Sequence, residues 1–224
     1  MNWLFNPSVA TYGASIDQLY YIILVVTGIV FFLTQGLLVY FLIRYRTKEG
    51  RRAEYIHGST KAEVVWTAIP FVIVVTIALM SKSVWDEIRH PSQIPEGAME
   101  VQIMAKQFEW TVTYPGPDEV LGTDDDFSLL NQLHIPVNRP VVVMLEAEDV
   151  IHSFFVPEFR VKQDAVPGMR TPVWFEVMET GEYVIGCAEL CGTGHTRMSG
   201  TVTVHSESDF HSWIAQRTAQ AEDS

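Results

Sequence analysis

Cys187 and Cys191 are the only two cysteines of the 224-residue chain, and they lie in CAELCGTGHTRM with His195 and Met198 just downstream. Two thiols at this spacing can close a small disulfide, supply half of a zinc site, or hold a softer metal. A disulfide suits an exported domain in an oxidising compartment. It would close a very short loop, which constrains little chain entropy, and it leaves His195 and Met198 without a task. Zinc would take Cys187, Cys191, His195 and a fourth ligand such as His152 in a tetrahedron. A thioether adds nothing to zinc, whereas copper accepts thiolate, imidazole and a weak axial methionine. One blue-copper ion needs a single cysteine, so one thiolate is surplus. The surplus is used if two coppers share both sulfurs as bridges, each adding one histidine and one weak axial ligand. Met198 serves as one axial ligand and a backbone carbonyl as the other.

Such a loop needs a scaffold, and hydropathy divides the chain. Residues 18–43 and 64–81 carry no charge. At ~1.5 Å per residue, these runs make helices roughly 39 and 27 Å long. Both can cross a hydrocarbon core about 30 Å thick. The alternatives are a signal peptide for the first run and a buried core helix for the second; the first lacks a basic start before Gln18 and ends in Arg44, and both runs have the length of a span. The predicted organisation is an exported segment 1–17, spans 18–43 and 63–81, a cytoplasmic loop 44–62, a linker 82–99, a β domain 100–205, and a C-terminal helix and tail 206–224. The loop carries Arg44, Arg46, Lys48, Arg51, Arg52 and Lys61, which places it inside and both termini outside. Ser15 with Gln18, and Thr60 with Glu63, have capping-box spacing, and Pro70 is expected to kink the second span.

Beyond Lys82 the sequence reads as short strands with Gly/Pro turns, as in a sandwich or barrel. The first is a long strand over Glu100–Tyr114, followed by Gln132–Ile135, Val141–Leu145, Val173–Val177, Tyr183–Ile185 and Thr201–Val204. Asp124–Asp126 reads as a solvated loop tip. ESDFHSWIAQRTA reads as an amphipathic helix with Phe210, Trp213 and Ile214 on one side. Residues 82–224 hold 9 Lys and Arg against 23 Asp and Glu, a formal charge of −14. That balance excludes nucleic acid and favours a basic protein partner.

CAELCGTGHTRM resembles the dinuclear copper A loop of subunit 2 of the haem–copper cytochrome c oxidases. DVIHSFFVPEFRVKQDAVPGM is similar to the upstream ligand segment of that family, and EVVWTAIP to its second-span motif. The resemblance implies a membrane-anchored chain with a two-helix transmembrane hairpin and an all-β cupredoxin-like Greek-key domain. It implies Cys187 and Cys191 as bridging thiolates and His152 and His195 as one ligand to each copper. Met198 and the carbonyl of Glu189 become axial ligands. The Glu189 side chain would help hold a magnesium ion shared with subunit 1, and Glu63 would mark a proton-path entrance. Implied partners are oxidase subunits 1 and 3, a c-type cytochrome and the bilayer. The implied location is a bacterial plasma membrane, or alternatively a mitochondrial inner membrane.

The resemblance further implies electron transfer from the cytochrome through copper to haem in subunit 1, where oxygen reduction drives proton pumping. This chain would supply the electron-accepting part of that oxidoreductase and no oxygen chemistry of its own. Alternatives are a copper A-containing nitric oxide reductase subunit, a membrane-anchored copper-binding or assembly protein, and a quinol oxidase subunit; the last lacks the copper ligands. One position departs from the family's Q-W-x-W cluster. The chain reads Gln107-Phe108-Glu109-Trp110, so Phe108 stands where the electron-accepting Trp is usual, and only Trp110 matches. His57, His90, His134, His205 and His211 lack ligand partners at motif spacing and read as surface or hydrogen-bonded residues.

Overall fold

The computed structural model describes residues 6–89, 94–116 and 118–222, with the side chains of 221 and 222 excepted; His90 lies outside them. Two compact units result: residues 15–86, and the residues up to 14 together with those from 87 onward.

The first unit holds all but the outermost residues of helices α1 (Gly13–Arg44) and α2 (Thr60–Arg89), both long and apolar enough to cross a membrane. Their apolar side chains are exposed along nearly their whole length. In water that exposure would be prohibitive, and in lipid it costs nothing. Each helix extends beyond its uncharged run. α1 starts before Ser15, so Ser15 is an interior residue and not a cap. At α2 the cap is Ser59, whose Oγ accepts the Ala62 N–H at 3.4 Å, and Thr60 is the first helical residue. A capping box at Thr60 and Glu63 is therefore displaced by one residue. α2 runs through Pro70 as one helix.

The second unit is a β-sandwich. Its first sheet is ordered β3 (Phe127–Leu130), β2 (Glu109–Tyr114), β1 (Met99–Lys106), β5 (Pro140–Ala147), β8 (Thr171–Glu176). The second is ordered β4 (Gln132–Pro136), β10 (Ser199–His205), β9 (Gly181–Cys187), β6 (His152–Val156), β7 (Val161–Ala165). β1–β5 and β4–β10 pair in parallel and the other pairs are antiparallel. Neighbours so far apart in sequence are the mark of Greek-key crossovers. Alternate residues of β1 and β2 (Val101, Ile103 and Ala105; Trp110, Val112 and Tyr114) are fully buried between the sheets, as period-2 geometry requires.

The single strand expected over Glu100–Tyr114 is a hairpin. Lys106 pairs with Glu109, and Gln107 and Phe108 form a two-residue tip joined by a cis peptide. Alternation continues on both sides of the tip, so the pattern alone did not show the break. β3, β6 and β7 have no counterpart among the strands expected from sequence; β6 opens with three buried residues in a row, His152, Ser153 and Phe154, which hides its period.

A strap and a lid complete this unit. Residues 8–12 run along the sandwich, with Val9 N–H donating to Glu158 O and Met178 N–H to Val9 O. Tyr12 is buried edge-on against Trp174, whose Nε1 donates to the Ile88 carbonyl. Helix α3 (Glu207–Glu222) begins at Ser206, whose Oγ accepts the Asp209 N–H. It buries Phe210 and lays Trp213 on His134.

Candidate metal centre

Three segments meet at one end of the sandwich. β6 contributes His152, completely buried. The end of β9 and the following loop contribute Cys187, Cys191 and His195, and Met198 closes the loop where β10 begins. Cys187 N–H donates to the Met198 carbonyl at 3.2 Å, so the two ends of the loop are pinned together.

The donor atoms converge. The two Sγ atoms are 3.7 Å apart, far beyond the roughly 2.05 Å of a disulfide, and both cysteines are free thiols. Cys187 Sγ faces His152 Nδ1 at 3.9 Å and the Glu189 carbonyl oxygen at 3.2 Å. Cys191 Sγ faces His195 Nδ1 at 3.7 Å and Met198 Sδ at 3.8 Å. His152, Cys187 and Cys191 lie close enough together to bind one ion. The full donor set is soft, with two thiolates, two imidazoles, a thioether and a carbonyl. It fits copper better than zinc and fits two ions sharing the sulfurs better than one.

Burial, then the hydrogen bond and charge of Cys187, push the Cys191 thiol up to about 11. A cation entering the site must therefore displace a proton, which ties metal binding to proton release. Behind His152 stands Asp149, whose Oδ1 is 2.8 Å from Nε2 of the ring. Burial works to raise the Asp149 carboxyl. The hydrogen bond from His152, then those from the N–H groups of Gln107 and Val150, hold it at about 2. An ionised carboxylate on Nε2 keeps the proton there and leaves Nδ1 with its lone pair towards the sulfur. Asp149 was not among the residues picked out from sequence, although a carboxylate three residues before a candidate ligand histidine was a signal that could have found it.

The remaining sequence candidates separate. Phe108 is half-buried and its ring lies on the backbone of Gly192 and Gly194, where an added Cβ on Gly194 would overlap it. Trp110 is wholly buried behind the centre, edge-on to His152. Glu189 has an exposed side chain, and Glu63 lies in the other unit, exposed in the first turn of α2. His134 and His205 are bonded to each other, Nδ1 to Nε2 at 2.8 Å.

Known proteins bear the same pattern. Residues 99–206 match the family model described as cytochrome C oxidase subunit II, periplasmic domain, and residues 1–84 match its transmembrane domain. The alternative cytochrome c oxidase subunit 2 of Bradyrhizobium diazoefficiens is 35% identical, over 96% of this chain and 84% of that protein. Cytochrome c oxidase subunit 2 of Thermostichus vulcanus is 31% identical, over 92% and 76%. Among solved structures, the periplasmic domain of subunit II of cytochrome oxidase (CoxB) of Bradyrhizobium japonicum superposes with a TM-score of 0.50 at 29% identity. That match covers 57% of this chain and 98% of the other, and it identifies the sandwich as cupredoxin-like.

Proposed function

Because the chain belongs to the cytochrome c oxidase subunit II family, we propose that it is the electron-accepting subunit of an aerobic haem–copper cytochrome c oxidase. Electrons arrive from a c-type cytochrome and leave for haem in subunit 1, where oxygen is reduced to water and protons are pumped. The observation that carries this reading is the convergence of two free thiols, two imidazole Nδ1 atoms and a buried thioether within 3.7 to 3.9 Å steps. Two copper ions bound there supply a one-electron carrier.

The chain's own residues do the rest. Cys187 and Cys191, once deprotonated, would hold the copper as thiolates. His152, oriented by Asp149, and His195 would each present Nδ1. Met198 and the Glu189 carbonyl would complete the donor set. Buried Met198, Phe154 and Trp110 exclude water, which limits the solvent rearrangement that accompanies a change of charge. Of the two aromatic candidates, Phe108 is the one at the surface and therefore the one that faces an arriving donor; Trp110 supports His152 from behind. The excess of acidic residues in the sandwich steers a basic cytochrome towards it. The exposed Glu189 carboxylate is assigned to a magnesium ion shared with subunit 1, and Glu63 to the mouth of a proton path. The sandwich lies on the outer, periplasmic side of a bacterial plasma membrane, with both chain termini there.

The test uses the full chain in detergent, loaded with copper. A purple absorption spectrum and an electron paramagnetic resonance signal from one unpaired electron shared by two coppers are expected. A blue mononuclear spectrum, or zinc retained in preference to copper, overturns the assignment. Oxidation of reduced cytochrome c by the assembled complex, slowing as salt rises, separates the oxidase from a copper-assembly protein.

A further inference from the structure

The copper ligands come from two segments that are far apart in sequence, and a third segment without any ligand ties them together. We propose that Gln107 is a positioning residue that clamps the Cys191–His195 loop to the segment carrying His152; the proposal rests on the copper reading given above. Its backbone N–H donates to Asp149 Oδ2 at 2.8 Å, and its side-chain Nε2 donates to the Cys191 carbonyl at 2.5 Å. Asp149 in turn holds His152 Nε2 through its other oxygen, at 2.8 Å. A continuous chain of hydrogen bonds therefore runs from one ligand, His152, through Asp149 and Gln107 to the backbone of another, Cys191.

Two glycines make the clamp sterically possible. Gly192 has φ +137, which L side chains rarely adopt, and a Cβ there would stand 2.7 Å from Gln107 Nε2. At Gly194 a Cβ would overlap the Phe108 ring. Only bare backbone allows the hairpin tip to lie flat on the loop. Cys191 opens that loop, His195 closes it and Met198 follows, so a tether at the Cys191 carbonyl limits how far three ligands can drift from His152. The tip is itself anchored by the β1–β2 ladder, a rigid element of the kind that holds a site to its geometry.

The obvious variant is Gln107→Glu, which keeps length and shape but loses the donor while leaving the backbone bond to Asp149. Gln107→Leu is the second variant, should the first misfold by circular dichroism. The first readout needs no copper: amide hydrogen exchange of residues 192–195 in the full chain. Loss of one net hydrogen bond should speed it by about tenfold. The second is the copper-loaded spectrum. The variants should show broadened copper hyperfine structure and a midpoint potential shifted from wild type, because the donor that holds the Cys191 carbonyl has been removed. Lys106→Gln, at the same tip but outside the chain of bonds, should match wild type in both.

Exchange and spectra unchanged in both variants overturn the clamp. A wild-type chain without the shared-electron signal overturns the copper reading instead, and the copper-free exchange comparison still decides the clamp.

Discussion

His152 and His134 sit on strands of the same sheet, and both are withdrawn from water, yet their chemistry diverges. His152 has an ionised carboxylate on Nε2 and a thiol sulfur in front of Nδ1. His134 has the ring of His205 on Nδ1 and the face of Trp213 stacked 4.4 Å away. Burial first, then the charges of His205 and Arg217, lower His134 to about 4. Burial also lowers His205, with Asp209 opposing it. At His134 this keeps the imidazole neutral, and neutral imidazole is the form a metal needs. Only one of the two environments supplies soft partners. What makes a buried histidine a candidate ligand is therefore the set of atoms its free nitrogen meets, and the degree of burial says little.

The widest break in this comparison comes from the sulfurs. Cys191→Ser should abolish the shared-electron copper signal entirely, while His134→Gln should leave it intact; metal analysis and electron paramagnetic resonance on the full chain check both. Next is the carboxylate. Asp149→Asn should weaken copper binding about 10- to 100-fold, the usual cost of losing a partner behind a ligand histidine, measured by competition with a copper chelator. At the other end, Trp213→Ala should cost about 2 kcal/mol of folding stability, below the range for a fully buried aromatic because the indole is only half-buried; urea unfolding measures it.

A subtler effect is in pH. Folded His134 titrates near 4 against roughly 6.5 unfolded. Between those values the unfolded chain binds more protons, so stability is complete above about 6.5 and is lost as pH falls towards about 4. His134→Gln should flatten that acid limb of the unfolding midpoint. Smallest of all, Lys106→Gln removes an exposed ion pair with Glu148 and should leave the urea unfolding midpoint essentially unchanged.

Much of this was legible along the chain. The spacing of Cys187, Cys191, His195 and Met198 set out the donors, because all four ride on one tight loop. The uncharged runs marked α1 and α2, and the family matches agree with both. The misses have separate causes. β6 hid its period because buried residues follow one another in it. The hairpin tip at Gln107 and Phe108 hid because alternation continues across it. The cap of α2 lies at Ser59 and not at Thr60, a one-residue choice that two adjacent hydroxyl residues left open.

The sequence by itself determined which atoms are available to a metal and that two helices long and apolar enough to cross a membrane precede them, since both follow from residue type and local spacing. Tertiary structure decided which nitrogen of His152 meets the sulfur, that Trp110 is buried while Phe108 is at the surface, and that Gln107 joins the two ligand segments. The bonds from Gln107 reach partners 42 and 84 residues away. No local pattern encodes such a bond; it exists only once the sandwich has folded and brought the hairpin tip onto the loop.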